Sequence, residues 1–200
     1  MVERIIRDGA VVQDDWAQLR FPEEAIPQRK SGGKPVLFRL TGEQAVDDEY
    51  VAALSIPDGK VLLPLTVWLK RRDEFADRLD AGEIAVWLDS FEEPEALVDS
   101  LDGDLDRLPI IGINFPKFVD GRGYSIAHLL RRRYGYAGEL RALGDVTRDQ
   151  LFFLARCGFD SFALRADLNA EQALASLKDF SETYQTATDG RAPLFRHRAA

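Results

Sequence analysis

The chain has 200 residues, of which 46% are hydrophobic and 30% charged, and its formal net charge at pH 7 is −8. Such a composition is typical of a single globular domain, and the acidic excess argues against general binding of nucleic acid. Because no stretch approaches about 20 apolar residues and no apolar signal region stands at the start, we expect a cytoplasmic protein that does not enter membranes.

The cysteine and histidine counts exclude several kinds of site. Cys157 is the only cysteine, and His128 and His197 are the only histidines. An intrachain disulfide, a four-thiolate iron–sulfur cluster, a zinc finger and a three-histidine zinc site are therefore excluded, and we identify no cofactor and no metal site. Cys157 follows Leu151 and Leu154 at helical spacing, which predicts a core position. We expect His128 on the polar face of a helix.

The first residues predict a β-hairpin, because two short apolar segments flank the turn pair Asp8-Gly9. Residues 21–33 are rich in proline, glycine and charge, which indicates a linker. We therefore divide the chain into a hairpin and linker (1–33), an α/β domain (34–188) and a flexible basic tail (189–200).

Within the α/β domain, apolar runs alternate with segments of helical spacing. Strands are predicted at residues 34–40, 61–65, 83–88, 110–114, 139–143 and 159–164. Helices are predicted at residues 45–54, 67–79, 91–101, 125–134, 148–157 and 170–184. Capping-box patterns at Thr41, Ser90 and Thr147 mark three helix starts, Asn169 marks a fourth, and Gly158 marks a helix end.

This alternation predicts a mostly parallel sheet with right-handed crossovers. A closed eight-fold barrel typically takes about 250 residues, so the chain is short for one. An incomplete, barrel-like sheet or a doubly wound open sheet fits better, with the N-terminal hairpin added. In both architectures the carboxyl ends of the strands share one edge, where ligands bind.

The segment from residue 114 to residue 125 is the strongest candidate for a site, because it joins a predicted buried strand to an amphipathic helix. The sequence Gly121-Arg122-Gly123 before a helix could hold an anion on backbone N–H groups and a guanidinium. It is neither a dinucleotide fingerprint nor a P-loop. The candidate ligand-binding residues are Asn114, Lys117, Asp120, Gly121, Arg122, Gly123, Tyr124, Ser125 and Arg148.

Positive charge is concentrated around this segment. Residues 117–148 carry seven basic and three acidic side chains, a balance of +4, so the rest of the chain carries −12. An anionic ligand or an acidic partner would suit this charge. The commoner role for the run Arg131-Arg132-Arg133 is a solvent-facing helix surface.

Three predicted loops should meet at the carboxyl edge of the sheet: residues 89–90, 114–124 and 144–146. If the site is catalytic, Lys117, Asp120 and Asp145 are the candidates for acid–base chemistry. Asp145 could face the site or bind its own turn backbone. Arg141 lies within its strand and could point inward or under the helices.

Three segments carry a resemblance to a known family: residues 115–125 (FPKFVDGRGYS), 144–151 (GDVTRDQL) and 156–160 (RCGFD). They resemble the bacterial family numbered 934 among domains of unknown function, most specifically from about Trp87 to Leu164. Members of that family are often described as probable oxidoreductases involved in sulfite reduction. The resemblance therefore implies a sulfur-assimilation context, although it implies no catalytic residues.

Sulfite reduction is a six-electron reaction that depends on metal or flavin centres, and the cluster cysteines are missing here. We therefore predict an accessory protein of assimilatory sulfite reduction that docks on sulfite reductase or another sulfur-assimilation enzyme, with an anion or nucleotide bound at the Gly121-Arg122-Gly123 loop. One alternative is a small-molecule enzyme on a barrel-like scaffold, for which oxidoreductase activity is one option. The other is an interaction module with no ligand.

Overall fold

A computed structural model describes residues 4–21, 46–192 and 196. Its eight strands are β1 (Arg4–Arg7), β2 (Ala10–Gln13), β3 (Ala17–Gln18), β4 (Val61–Pro64), β5 (Ile84–Asp89), β6 (Ile110–Phe115), β7 (Glu139–Gly144) and β8 (Ser161–Phe162). They form one sheet in the order β2-β1-β8-β7-β6-β5-β4-β3. Strands β3 to β8 are parallel to one another, whereas β1 is antiparallel to both β2 and β8. The predicted hairpin is therefore part of the α/β sheet.

Short helices connect the strands. They are α1 (Asp48–Ala53), α2 (Leu65–Arg71), α3 (Ala76–Asp80), α4 (Pro94–Ser100), α5 (Arg122–Arg132), α6 (Leu151–Cys157) and α7 (Ala170–Ala173). Single 3₁₀ turns stand at Arg72–Phe75, Leu105–Arg107, Arg148–Gln150 and Leu174–Lys178. None of the helices in the described ranges is long and apolar enough to cross a membrane.

Local capping signals placed several helix ends correctly. Thr147 and Gln150 form the predicted capping box, the Asn169 side chain accepts the Gln172 N–H, and Gly158 ends α6 with φ +106°. The box predicted at Ser90 is wrong, because α4 begins four residues later with proline at its first position. The predicted strand 34–40 and the Thr41 box lie outside the described residues.

Several predicted helices have different bounds in the structure, and three of them differ most. Segment 67–79 is divided into α2, a 3₁₀ turn and α3, and α5 begins at Arg122 rather than residue 125. The segment predicted as one helix over 170–184 is α7 followed by a 3₁₀ turn that ends at Lys178. Strand β3 was not predicted, because two residues carry no detectable alternation.

The sheet is curled into a half-barrel. Only residues 14–16 connect β2 to β3, although these strands stand at opposite ends of the strand order. Four Cα steps reach about 14 Å, whereas the edges of a flat eight-stranded sheet lie about 34 Å apart. The sheet must therefore bend until its two edges are near one another, which supports the barrel-like alternative over the doubly wound one.

The two faces of the half-barrel have different coverings. Side chains from the helices, such as Trp68, Leu97, Leu130 and Leu154, pack with the outward residues of the strands in the main core. A smaller inner cluster contains Leu62, Ala85, Trp87, Ile110 and Leu143, with Trp16 and Ala163 against it, and none of these residues lies in a helix. Among the described residues, the helices thus pack on the outer face, and together with the curl of the sheet this means that the doubly wound alternative is wrong.

Candidate functional site

The three predicted loops meet at the carboxyl edge of the sheet. The Ser90 hydroxyl, after β5, donates to Asp120 Oδ2 at 2.7 Å. The Phe118 backbone N–H, after β6, donates to Asp145 Oδ2 at 2.9 Å. We call residues 90–93, 116–121 and 145–147 the edge loops.

Asp120 and Arg122 form an ion pair at the start of α5. Asp120 Oδ1 accepts the Arg122 backbone N–H at 3.1 Å and Nε–H at 3.0 Å, and Oδ2 accepts Nη2–H at 2.6 Å. These bonds to the Arg122 guanidinium lower the pKa of Asp120 to about 2. Asp120 is therefore ionised at neutral pH, which makes it a poor general acid. It also accepts the Arg122 N–H groups that the sequence analysis assigned to an external anion.

Gly123 and Tyr124 have packing partners in the structure. A Cβ at Gly123 would lie 2.6 Å from Phe115 Cζ, so the glycine allows α5 to lie close against β6. The Tyr124 ring packs between Phe115 and Phe153, with ring centroids 5.3 and 5.1 Å away. These contacts hold α5 and its first turn against the core.

Asp145 connects two loops. Besides the Phe118 N–H, it accepts Arg165 Nη1–H at 3.0 Å from the segment after β8. Of the two predicted alternatives, these contacts favour a carboxylate that faces the edge loops over one that binds its own turn. Arg165 was missed by the sequence reasoning, because no motif marks it and its partner lies 20 residues away.

Asp89, Glu92 and Asn114 form a second cluster beside the first. Asn114 Nδ2 donates to Asp89 Oδ1 at 3.2 Å, and Glu92 Oε2 accepts the Asp89 backbone N–H at 2.7 Å. Burial is the main cause that raises the pKa of Asp89, and it raises the pKa of Glu92 to about 7. The sequence reasoning used Glu92 only as part of a capping box. The signal available in the sequence was the position of Glu92, three residues after Asp89, which follows a predicted strand.

Other predicted ligand residues lie toward solvent. Lys117, Gly121, Ser125 and Arg148 are exposed. Lys117 and Gly121 belong to the edge loops, Ser125 is in the first turn of α5, and Arg148 begins a 3₁₀ turn after the third loop.

Exposed apolar side chains surround the same edge. Phe91 is 40% exposed, Phe118 46% and Val119 62%. Phe91 follows Ser90, and Val119 precedes Asp120, so the Ser90–Asp120 hydrogen bond joins the loops that carry them. We call Phe91, Phe118 and Val119 the apolar edge patch.

Three arginines of the basic segment 117–148 pair with acidic residues outside it. Arg131 pairs with Asp160 and donates to three backbone carbonyls, those of Tyr136, Gly138 and Gly158. The solvent-facing role predicted for the Arg131-Arg132-Arg133 run is therefore wrong for Arg131, because this side chain binds the loop after α5 and the end of α6.

The most buried charge lies on the inner face. Arg141 is 1% exposed. Its Nη1 donates to both carboxylate oxygens of Asp14, at 3.0 and 2.9 Å, and its Nε donates to Glu139 at 2.9 Å. Arg141 thus points into the half-barrel and holds the segment that connects β2 to β3.

Cys157 and His128 lie where the sequence predicts them, in the core and on an exposed helix face. Cys157 is buried in the main core, and His128 is exposed, with Nδ1 2.9 Å from the Thr188 hydroxyl. In the described ranges, no group of three or more His, Cys, Asp or Glu side chains could hold a metal ion.

A family model matches residues 85–195, more than half of the chain. It describes a bacterial protein of unknown function (DUF934). The chain belongs to this family. The match runs from the second residue of β5 through β8 and includes α4 to α7 and all three edge loops of the DUF934 protein. No curated protein and no solved structure is significantly similar to the chain.

Proposed function

We propose that this DUF934 protein is an accessory component of assimilatory sulfite reduction, and that its edge loops dock on sulfite reductase or another enzyme of sulfur assimilation. Family membership supports the sulfur context through the resemblance described above. The structural observation that carries the docking role is the apolar edge patch.

Apolar side chains on loops are exposed to water at a cost, and contiguous exposed groups mark interaction surfaces. Here the loops are fixed by hydrogen bonds from Ser90 to Asp120 and from Phe118 to Asp145. A surface that is already ordered loses less conformational entropy on binding. Buried aromatic anchors contribute most of the affinity of many interfaces.

The proposal includes a small anion at Arg122, either a sulfur oxyanion or a nucleotide phosphate. Such an anion must compete with Asp120 for the Arg122 guanidinium and the first N–H of α5. Docking could change that competition, because Asp120 and Val119 are adjacent in one loop.

The test is binding to purified sulfite reductase, followed by native mass spectrometry and calorimetry. Phe118→Asp places a charge in the patch and should weaken the complex at least tenfold. The matched control is Leu69→Asp on α2, a residue 41% exposed outside the edge loops. Absence of a complex at tens of micromolar protein, or equal weakening by both variants, would contradict the proposal.

A further inference from the structure

Two carboxyl side chains flank Phe91 of the apolar edge patch, at the end of β5 and in the turn after it. Within the described part of the chain, neither Asp89 nor Glu92 belongs to an ion pair. Glu92 Oε1 accepts the Thr66 hydroxyl at 3.4 Å, and Asp89 Oδ1 accepts the Ser90 N–H at 2.9 Å. Both residues are half-buried. Partial burial disfavours the ionised form of a carboxyl group that has no ion-pair partner, and two neighbouring carboxylates repel each other.

The charged groups that act on this pair come from two elements. Within the β5–α4 turn Asp89 raises the pKa of Glu92, and in the β6–α5 segment Arg122 lowers and Asp120 raises the pKa of Asp89. Helix α2 contributes only the Thr66 hydroxyl to this set. Burial dominates in both carboxyls, and the pKa of Glu92 is near neutrality.

Asn114 supplies an acceptor beside the pair. Its side chain is buried, with 8% of the residue exposed. Nδ2 binds Asp89, while Oδ1 has no hydrogen-bond partner among the described residues. Rotation of the amide would present Oδ1 to a protonated carboxyl, so Asn114 can bind Asp89 in either protonation state.

We propose that docking at the apolar edge patch is coupled to proton uptake by the Asp89–Glu92 pair, so that the complex tightens as the pH falls. This inference rests on the proposed docking function. Phe91 stands between Ser90 and Glu92, so a partner that covers Phe91 also removes water from the turn. Loss of water disfavours the ionised carboxyl and raises its pKa.

Thermodynamic linkage between proton uptake and docking determines how the affinity changes with pH. If binding raises the pKa of the pair, binding takes up protons, and protons in turn strengthen binding. The affinity should be constant well below pH 7, where the proton is already held. Above pH 7 it should fall by up to about tenfold per pH unit for each proton taken up.

The experiment measures binding of purified sulfite reductase by calorimetry at pH 6.5, 7.5 and 8.5, each in two buffers of different ionisation enthalpy. The wild type should take up as much as one proton near pH 7.5 and bind several-fold more weakly at pH 8.5. Glu92→Gln, which keeps an acceptor for the Asp89 N–H, should lose most of this uptake. The control Glu49→Gln removes an exposed carboxylate on α1, outside the edge loops, and should keep it.

The outcomes separate this inference from the docking proposal. No complex at any pH overturns docking itself. A complex with no dependence on pH or buffer, or with equal proton uptake in the wild type and Glu92→Gln, overturns only the proton coupling. A partner-free readout is the carboxyl carbon resonance of Glu92, which should titrate near pH 7 and be absent in Glu92→Gln; an ordinary acidic midpoint would also overturn the coupling.

Discussion

Asp120 binds Arg122 through three donors, the backbone N–H, Nε–H and Nη2–H, at 3.1, 3.0 and 2.6 Å. A carboxylate of the chain thus lies on the anion site that the Gly121-Arg122-Gly123 sequence predicts. Because the two residues are only two positions apart in the chain, the Asp120 carboxylate stays close to the Arg122 guanidinium.

Removing this internal carboxylate should expose anion binding. Sulfate or sulfite should bind the wild type weakly, because Asp120 stays ionised at neutral pH. Asp120→Ala should tighten sulfate binding by about 1.5–3 kcal/mol, the range for hydrogen bonds to charged groups. The added change Arg122→Ala should abolish the gain. Calorimetric affinities that are equal in the wild type, Asp120→Ala and the double variant would rule out the anion site.

The glycines on either side of Arg122 should respond differently to alanine. A Cβ at residue 123 would lie 2.6 and 2.8 Å from two ring carbons of the buried Phe115, so Gly123→Ala should cost about 1–3 kcal/mol of stability. A Cβ at residue 121 would meet nothing within 4 Å, and its φ of −87° is ordinary, so Gly121→Ala should be within about 0.5 kcal/mol of wild type. Urea unfolding measures the stability of both variants, and equal losses of stability would contradict the packing role of Gly123.

The predictable parts of the fold depend on residues close in sequence. The apolar runs of β5, β6 and β7, the Thr147 capping box and the Gly158 end all carry their signal within a few residues. The Ser90 box failed because Ser90 is bonded to Asp120, 30 residues away, and Pro94 sets the helix start. Local patterns cannot show such competition from distant partners.

The curl of the sheet and the internal ion pairs could not be predicted. Arg141 and Asp14 are 127 residues apart, and only closure of the half-barrel brings them together. For the site, parallel topology alone was enough to predict that the edge loops meet. It could not show that Asp120 faces inward to Arg122 or that Glu92 lies beside Asp89, because side-chain pairing depends on the final loop conformations.

The buried Arg141 should be necessary for stability. Arg141→Met would leave the carboxylates of Asp14 and Glu139 without their shared cation on the inner face. Breaking a buried ion pair on one side costs about 3–5 kcal/mol. The control Arg148→Met removes an exposed arginine and should change the free energy of unfolding by less than about 0.5 kcal/mol. A similar small effect of both variants on urea unfolding would show that Arg141 does not hold the strand connection.

Glu92 should make stability fall as the pH rises. Its folded pKa of about 7 lies above the usual value of 4.5, so folding favours the protonated form. The associated stability is fully present below about pH 4.5 and is lost as the pH rises through 7. At pH 8, Glu92→Gln should therefore be more stable than wild type by about 1–3 kcal/mol, after allowance for partial solvent contact. Thermal unfolding from pH 5 to 8 tests this, and parallel curves for the two proteins would refute it.

Cys157 should behave as a core residue. It is 9% exposed, and burial raises the pKa of its thiol to about 11, so little thiolate forms at neutral pH. A thiol probe should react slowly with the native protein and quickly after unfolding in urea. Cys157→Ser places a hydroxyl in an apolar site and should cost about 1–3 kcal/mol, while cells that carry it should still grow on sulfate if the protein folds. A folded Cys157→Ser variant that cannot support that growth would show that the thiol takes part in the function.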